Sequence, residues 1–256
     1  MSAITGPSRP GCSGTVGGPR RLTPAERRRY EEEGFVVVPG VFPPEDLEVV
    51  DREIDRLLGE RGQLASDHLP GWVFQVGLRS EVTRQFAQDE RLLALVEDIV
   101  KPGIAIHEAK LVTKLPHSDE ICHWHQDDAY FVRLGESQTR MSVWVPLQEA
   151  HAQNGCLWVV PGSHRWGLKD HEQVTYGTCR RRLTPEELAA KEAIPVPVRA
   201  GSVVLFSALT WHSSQGNVTD RIRRAFIVTY QEATVPRGNG AEWKVLRPAD
   251  ASLPAG

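Results

Sequence analysis

The chain is predicted to be mainly β, a sandwich or barrel in its C-terminal part with helices leaning on it from the N-terminal part. Three observations predict this. From Ile104 onward five short β-type runs follow one another: Ile104–Lys114, Arg140–Leu147, Cys156–Val160, Ser202–Phe206 and Ala225–Tyr230. Turn residues separate them, and helical periodicity is concentrated before Val100.

The elements follow in order. Thr23, Pro24 and Glu26 form a capping-box start with proline at the first helical position, so a short helix is expected to reach about Glu33. Gly34 ends it, and Phe35–Val38 reads as a buried strand stopped by Pro39 and Gly40. A second helix places Leu47, Val50, Ile54, Leu57 and Leu58 on one face at three- and four-residue steps. A third, capped by Asp89, is expected to run to about Val100 with Leu92, Leu93 and Val96 on its apolar side. Within the β region, Thr184, Pro185 and Glu187 repeat the capping signature and predict a helical insertion over Leu183–Ala190.

Composition narrows the class. With 40% hydrophobic and 25% charged residues and a net charge of -3 in 256 residues, the chain reads as a globular protein without the basic patch of a nucleic-acid binder. No run of about 18 apolar residues predicts a membrane span. Residues 1–21 are rich in Gly, Ser and Pro and are expected to be a disordered tail, with a single domain over 22–256. Cys12, Cys122, Cys156 and Cys179 show no Cys-x-x-Cys spacing, so neither a zinc ribbon nor a disulfide framework is expected, and a cytoplasmic setting fits best.

The chemistry concentrates in His123-Trp124-His125-Gln126-Asp127-Asp128-Ala129-Tyr130-Phe131. Residues two apart on an extended segment point the same way, so His125 and Asp127 are placed to present an imidazole and a carboxylate to one ion. Two histidines and one carboxylate on one face of an octahedron leave positions open on Fe(II) for oxygen and an oxo-acid. His212 is the candidate third ligand. A His-x-Asp pair alone is also what a polar turn with backbone-bonded histidines looks like.

The ordered set around the pair is more specific. His125-Gln-Asp127, Trp144-Val-Pro-Leu, Asn154-Gly-Cys-Leu-Trp-Val-Val-Pro-Gly-Ser-His164, then His212 and an arginine-led strand, resembles the phytanoyl-CoA dioxygenase family. Tyr30-Glu-Glu-Glu-Gly-Phe-Val-Val-Val-Pro-Gly is similar to that family's opening, and the likeness runs from about Leu22 to Tyr230. The resemblance implies a double-stranded β-helix (jelly roll, cupin-like) with packing helices. It also implies an Fe(II)- and 2-oxoglutarate-dependent dioxygenase that consumes O2, with His125, Asp127 and His212 as iron ligands. Such an enzyme oxidises an unactivated C–H bond of a small molecule by hydroxylation, ring closure or desaturation, releasing succinate and carbon dioxide.

Arg223 matches the family's 2-oxoglutarate arginine, and a guanidinium suits the distal carboxylate as a bidentate partner. Strand alternation groups Arg223, Ala225 and Ile227 on one face and Arg224 and Phe226 on the other, without fixing which face is inward. Arg221 and Arg224 are expected to be solvated. Trp144 matches an aromatic position near the family's active site, and Thr113, with Lys114, ends a strand expected to face the co-substrate. His123 and His164 are read as orienting or structural.

Asp127 argues against a related halogenase, which replaces the ligand carboxylate with a small residue. A jelly-roll binding protein without catalysis and a zinc hydrolase using His123, His125 and His212 are rival readings of the same residues. Residues 71–74, Trp124, Tyr130, Phe131, Trp158, Trp166 and Trp211 are aromatic-rich candidates for a pocket or the core. The arginine- and proline-rich composition has an actinobacterial character and points to secondary-metabolite tailoring. Neither the substrate nor an oligomeric state is legible.

Overall fold

Thr23 opens helix α1 (Pro24–Glu33) as its sequence requires. Its hydroxyl accepts from the Glu26 N–H, and the Glu26 carboxylate accepts from the Thr23 N–H. Gly34 closes the helix at φ 81°, a left-handed conformation that glycine adopts without strain, and a Cβ there would lie 2.4 Å from His164 Nδ1. The chain turns at once into β1 (Phe35–Val38). Helix α2 (Pro44–Gly59) buries Leu47, Val50, Ile54 and Leu57, with Leu58 partly buried against the same core.

The structure, a computed structural model, describes residues 18–60, 71–131, 137–188, 191–235 and 244–249. Residues 1–17 of the expected tail lie outside the described residues. At its end Arg20 pairs with Glu26, and Arg21 with Glu97 and Asp98.

Three unpredicted elements follow α2: β2 (Trp72–Phe74), α3 (Val76–Arg79) and α4 (Glu81–Ala87). Helix α5 (Glu90–Val96) is capped by Asp89, whose carboxylate accepts from the Arg91 N–H, and it ends before the predicted Val100. Strand β3 (Ile104–Lys114) has the predicted bounds. Next come β4 (Cys122–His125), α6 (Asp128–Phe131), β5 (Met141–Pro146), β6 (Leu157–Val159), β7 (His171–Gln173) and β8 (Arg181–Leu183). After them lie α7 (Pro185–Leu188), β9 (Ile194–Val196), β10 (Val203–Ser207), β11 (His212–Ser214), β12 (Arg223–Gln231) and β13 (Lys244–Arg247). The predicted helix over Leu183–Ala190 is therefore shorter: Leu183 closes β8, and residues 189–190 lie outside the described residues.

The major sheet runs β1-β10-β5-β12-β3-β13 with β2 beside β3, and the minor sheet runs β4-β11-β6-β9. All their pairings are antiparallel. Together they form the double-stranded β-helix. The outer face of the major sheet, through Leu111, Val143, Leu205, Phe226 and Val228, shares one core with Leu47, Val50 and Ile54 of α2. Its inner face, through Trp144, Val204, Phe206 and Ala225, packs against Leu157 and Val159 of the minor sheet.

The structure corrects two expectations. Arg224 is not solvated: it lies on the outer face beneath α2, ion-paired to Asp51 and Asp55. The outer face is roofed by a helix, so an outward arginine meets carboxylates instead of water. Arg221 is exposed, as expected. Second, Cys122 and Cys179 form a disulfide that ties the start of β4 to the segment leading into β8. The two residues are 57 apart in sequence, and a parallel bridge between them makes them neighbours. Cys156 is free and buried, and Cys12 lies outside the described residues.

Candidate active site

The register of β4 against β11 places His125 directly opposite His212, with ring centroids 4.1 Å apart. Asp127 follows two residues later, where the chain leaves β4 for α6. Its Oδ1 lies 3.6 Å from His125 Nε2 and 3.7 Å from His212 Nε2, and all three residues are buried. The three donor atoms lie within 4.8 Å of one another. His125 Nδ1 is 2.7 Å from the His123 carbonyl and His212 Nδ1 is 2.9 Å from the Thr210 carbonyl. A carbonyl only accepts, so each Nδ1 donates its N–H there, which leaves each Nε2 on the Asp127 side. Asp127 is fixed in turn: its Oδ2 accepts from Ser142 Oγ at 2.5 Å, and Ser142 lies 3.0 Å from Thr229 Oγ1.

The electrostatics suit a cation. Burial pushes the Asp127 carboxyl up, but His212, His125 and Lys110 outweigh it and hold the group well below the usual carboxylate range. Burial, with His125 beside it, pushes the His212 imidazole down to about 3. Two imidazole nitrogens and one carboxylate are the donor set for a non-haem iron facial triad, and their chemistry fits Fe(II). The zinc-hydrolase reading loses its third histidine, since His123 Nε2 bonds the Tyr176 carbonyl at 3.1 Å and its ring meets Tyr176. A Cys122, His125 and Cys179 grouping also lies close together, but its sulfurs are joined to each other.

Arg223 faces inward with Ala225 and Ile227, as alternation allows. It is 1% exposed; Nη2 donates to Gly155 O at 2.7 Å and Nε to Asn154 O at 3.3 Å, while Nη1 has no partner among the described residues. Burial pushes its guanidinium down to about 10, which still leaves it charged at neutral pH. A buried cation with an orphaned N–H and no carboxylate calls for an anion, and this is the observation that fits 2-oxoglutarate. Trp144 lies under the Arg223 guanidinium at 5.6 Å and lines the same cavity.

Thr113 is a correction. It sits opposite Arg224 on the outward face of β3, because Lys114 is the residue paired with Arg223 and strand neighbours alternate. Lys114 itself donates to Glu120 O and Gln215 O, and burial next to Arg223 pushes its amine down to about 7. His164 is structural: its Nε2 bonds the Glu31 carbonyl at 3.2 Å.

His125, Asp127, His212 and Arg223 line one cavity of about 340 Å³. Trp72, Phe74, Tyr130, Phe131, Leu157 and Phe206 supply its apolar walls. Trp211 is instead core against Val160 and Leu183 with Trp124 partly buried beside it, Trp158 packs in the inter-sheet core, and Trp166 rests edge-on against Trp211. Glu108 and Lys110 also line the cavity and were not singled out from sequence. The signal was present in Ile104-Ala-Ile-His-Glu-Ala-Lys-Leu-Val-Thr-Lys114, where Glu108, Lys110 and Lys114 fall on one side of a run otherwise rich in apolar residues.

Residues 30–225 match the model of the phytanoyl-CoA dioxygenase (PhyH) family. Among curated relatives, an ectoine dioxygenase of Sphingopyxis alaskensis is 27% identical over 223 residues, covering 78% of this chain and 72% of that protein. Phytanoyl-CoA dioxygenase domain-containing protein 1 of Mus musculus is 22% identical, covering 87% and 94%. Among solved structures, the non-haem α-ketoglutarate-dependent epimerase SnoN from nogalamycin biosynthesis superposes with TM-score 0.69 at 25% identity, covering 84% of this chain and 85% of that one. SnoN has also been solved with Fe3+, α-ketoglutarate and nogalamycin RO, at TM-score 0.67 and 26% identity, covering 84% and 86%. EctD of S. alaskensis with 2-oxoglutarate and 5-hydroxyectoine, at TM-score 0.73 and 22% identity over 92% and 89%, shares the fold. No helix among the described residues is long and apolar enough to cross a membrane. With this match over most of its length and the donor set it folds together, the chain belongs to the phytanoyl-CoA dioxygenase family and is an Fe(II)- and 2-oxoglutarate-dependent dioxygenase.

Proposed function

We propose that His125, Asp127 and His212 hold the iron and that Arg223, with Trp144 against it, grips the distal carboxylate of 2-oxoglutarate. The enzyme then oxidises an unactivated C–H bond of a small molecule in secondary-metabolite biosynthesis, by hydroxylation, ring closure or desaturation. The observation that carries this reading is one cavity holding both a buried His-Asp-His donor set and a buried arginine with an unpartnered Nη1. The secondary-metabolite assignment draws support from the likeness to SnoN.

Iron, 2-oxoglutarate and O2 together supply the oxidising chemistry, with 2-oxoglutarate leaving as succinate and carbon dioxide. The protein's part is geometry and dryness. His123 O and Thr210 O hold the two imidazoles in one tautomer. Ser142 keeps the carboxylate of Asp127 turned toward them. Gly155, whose carbonyl accepts from Arg223, must be glycine: at φ 79°, a Cβ there would lie 2.6 Å from Gln215 O and from Lys114 Cδ. Leu157, Phe206 and Tyr130 wall the cavity against water.

The test is anaerobic. Protein loaded with Fe(II) should develop a visible charge-transfer band when 2-oxoglutarate is added, and zinc-loaded protein should not, because zinc is d¹⁰. No band in protein shown to contain Fe(II) would sink the assignment. Substrate-stimulated succinate release across a panel of small metabolites then identifies the reaction.

A further inference from the structure

Glu108 and Lys110 are the largely buried charged groups of the cavity that the proposed chemistry leaves unused. They lie two residues apart on the inner face of β3, opposite Thr229 and Ile227 of β12. Arg223 lies four residues up the same strand from Ile227, about 13 Å away at strand rise. A 2-oxoglutarate with one carboxylate at the metal and the other on Arg223 has no anion left for Lys110.

The two side chains approach to 3.6 Å, an ion pair too long for a direct hydrogen bond, and they are only 20% and 12% exposed. Each is removed from bulk water, yet each keeps hydrogen-bonding capacity toward the cavity. Beside them β2 pairs with β3 so that Phe74 sits opposite Lys110 and Trp72 opposite Val112. These two rings stack at 5.5 Å with an interplanar angle of 25°, making a flat shelf with the Lys110 ammonium 5.9 Å from the Trp72 ring.

Charge selects the ligand. Glu108 and Asp127 balance Lys110 and Arg223, and dianionic 2-oxoglutarate balances Fe(II). Arg180 is exposed at the cavity mouth, and Lys114, held by two carbonyls, does not line the cavity. An added carboxylate or ammonium would be a buried charge without a counter-ion. A hydroxyl accepts from Lys110 and donates to Glu108, satisfying both at once.

Resting on the reading that iron and 2-oxoglutarate occupy this cavity, we infer that Glu108 and Lys110 are the polar anchor for the substrate. The substrate is an uncharged, ring-bearing molecule that lays its ring on Trp72 and Phe74 and presents a hydroxyl to the pair.

Anaerobic equilibrium dialysis of the Fe(II)- and 2-oxoglutarate-loaded enzyme tests this with four probes: 2-naphthol, 2-methoxynaphthalene, 2-naphthoate and 2-naphthylmethylammonium. The wild-type protein should bind 2-naphthol at least about tenfold tighter than the other three, since a site built to bond a hydroxyl rejects analogues that leave its groups unpaired. Glu108→Gln frees the lysine and should move the preference to naphthoate; Lys110→Met frees the glutamate and should move it to the ammonium probe. A purely packing role would not produce that crossover. Tighter wild-type binding of either charged probe, no binding of any probe, or the same ranking in all three proteins would overturn the inference. The wild-type ranking needs no variant, so it stands even if a substitution harms folding. Retention of the charge-transfer band separates this failure from failure of the iron and 2-oxoglutarate assignment.

Discussion

Arg223 and Arg224 are chain neighbours on β12, both buried, and they do opposite work. Arg224 points out beneath α2 into Asp51 and Asp55, so its charge is compensated by the fold itself. Arg223 points in, bonds only backbone carbonyls and leaves Nη1 unpartnered among the described residues. A buried cation with carboxylates is part of the scaffold; a buried cation without them is suited to take an anion. The same division runs along both central strands. Outward residues such as Leu111, Phe226 and Val228 close a core, while inward ones such as Glu108, Lys110 and Ile227 line a cavity.

The largest expected effect is on the inner face. Asp127→Ala removes the only anionic member of the triad and should lower turnover more than about 100-fold, exceeding the 10- to 100-fold typical of losing a mere supporting partner of a metal ligand. Steady-state succinate formation checks it, and near-normal turnover would remove Asp127 from the metal site. Next, Arg223→Ala should weaken 2-oxoglutarate binding by about 3 to 5 kcal/mol, or roughly two to three and a half orders of magnitude, read from titration of the charge-transfer band. The apo protein should not lose stability, because the substitution deletes an uncompensated buried charge. If Arg224→Ala produced the larger loss of affinity, the division between the two faces would be wrong.

Legibility followed the same division. Helix α1 was readable because its capping box is local in sequence, and β3 because eleven residues of strand outrun any turn signal. His125, Asp127 and His212, the proposed metal donors, were readable as a motif, although their convergence depends on the register of β4 with β11. Strand β2 and helix α3, at three and four residues, are too short to carry a period. Glu108 and Lys110 escape notice because alternating polar residues in a strand ordinarily mean a water-facing side, whereas this polar side faces a cavity. Arg224 misleads for the mirror reason: its side faces a helix. Nothing local marks Cys122 and Cys179 as partners.

Intermediate effects belong to the seams between elements. The Cys122–Cys179 bridge closes a separation of 57 residues, so replacing both cysteines by alanine should cost about 2 to 4 kcal/mol of stability, seen as a lower denaturant midpoint. An unchanged midpoint would mean that the bridge does not form in solution. Arg224→Ala should cost less, about 1 kcal/mol, because Asp55 is 67% exposed and water screens the pair. Its 2-oxoglutarate affinity should match wild type, which is the outer-face counterpart of the Arg223 result.

The smallest effect sharpens the comparison most, because it concerns a residue whose sequence position pointed inward and whose structure points outward. Thr113 lies one residue before Lys114, yet it pairs across the ladder with Arg224, and its hydroxyl is buried without a hydrogen bond among the described residues. Thr113→Val keeps the branched shape and replaces that unsatisfied hydroxyl with a methyl group. Removing a buried polar group that has no partner relieves a desolvation cost instead of breaking a bond, so stability should hold or rise by up to about 1 kcal/mol. The 2-oxoglutarate affinity should stay within about twofold of wild type, because a hydroxyl facing the α-helical layer does not reach an anion held at Arg223. Denaturant unfolding and the charge-transfer titration, run on the same variant, read the two outcomes separately. A tenfold loss of 2-oxoglutarate affinity with stability intact would return Thr113 to the co-substrate site and shift the register of β3 by one residue. Every inward assignment on that strand, Lys110 included, would shift with it.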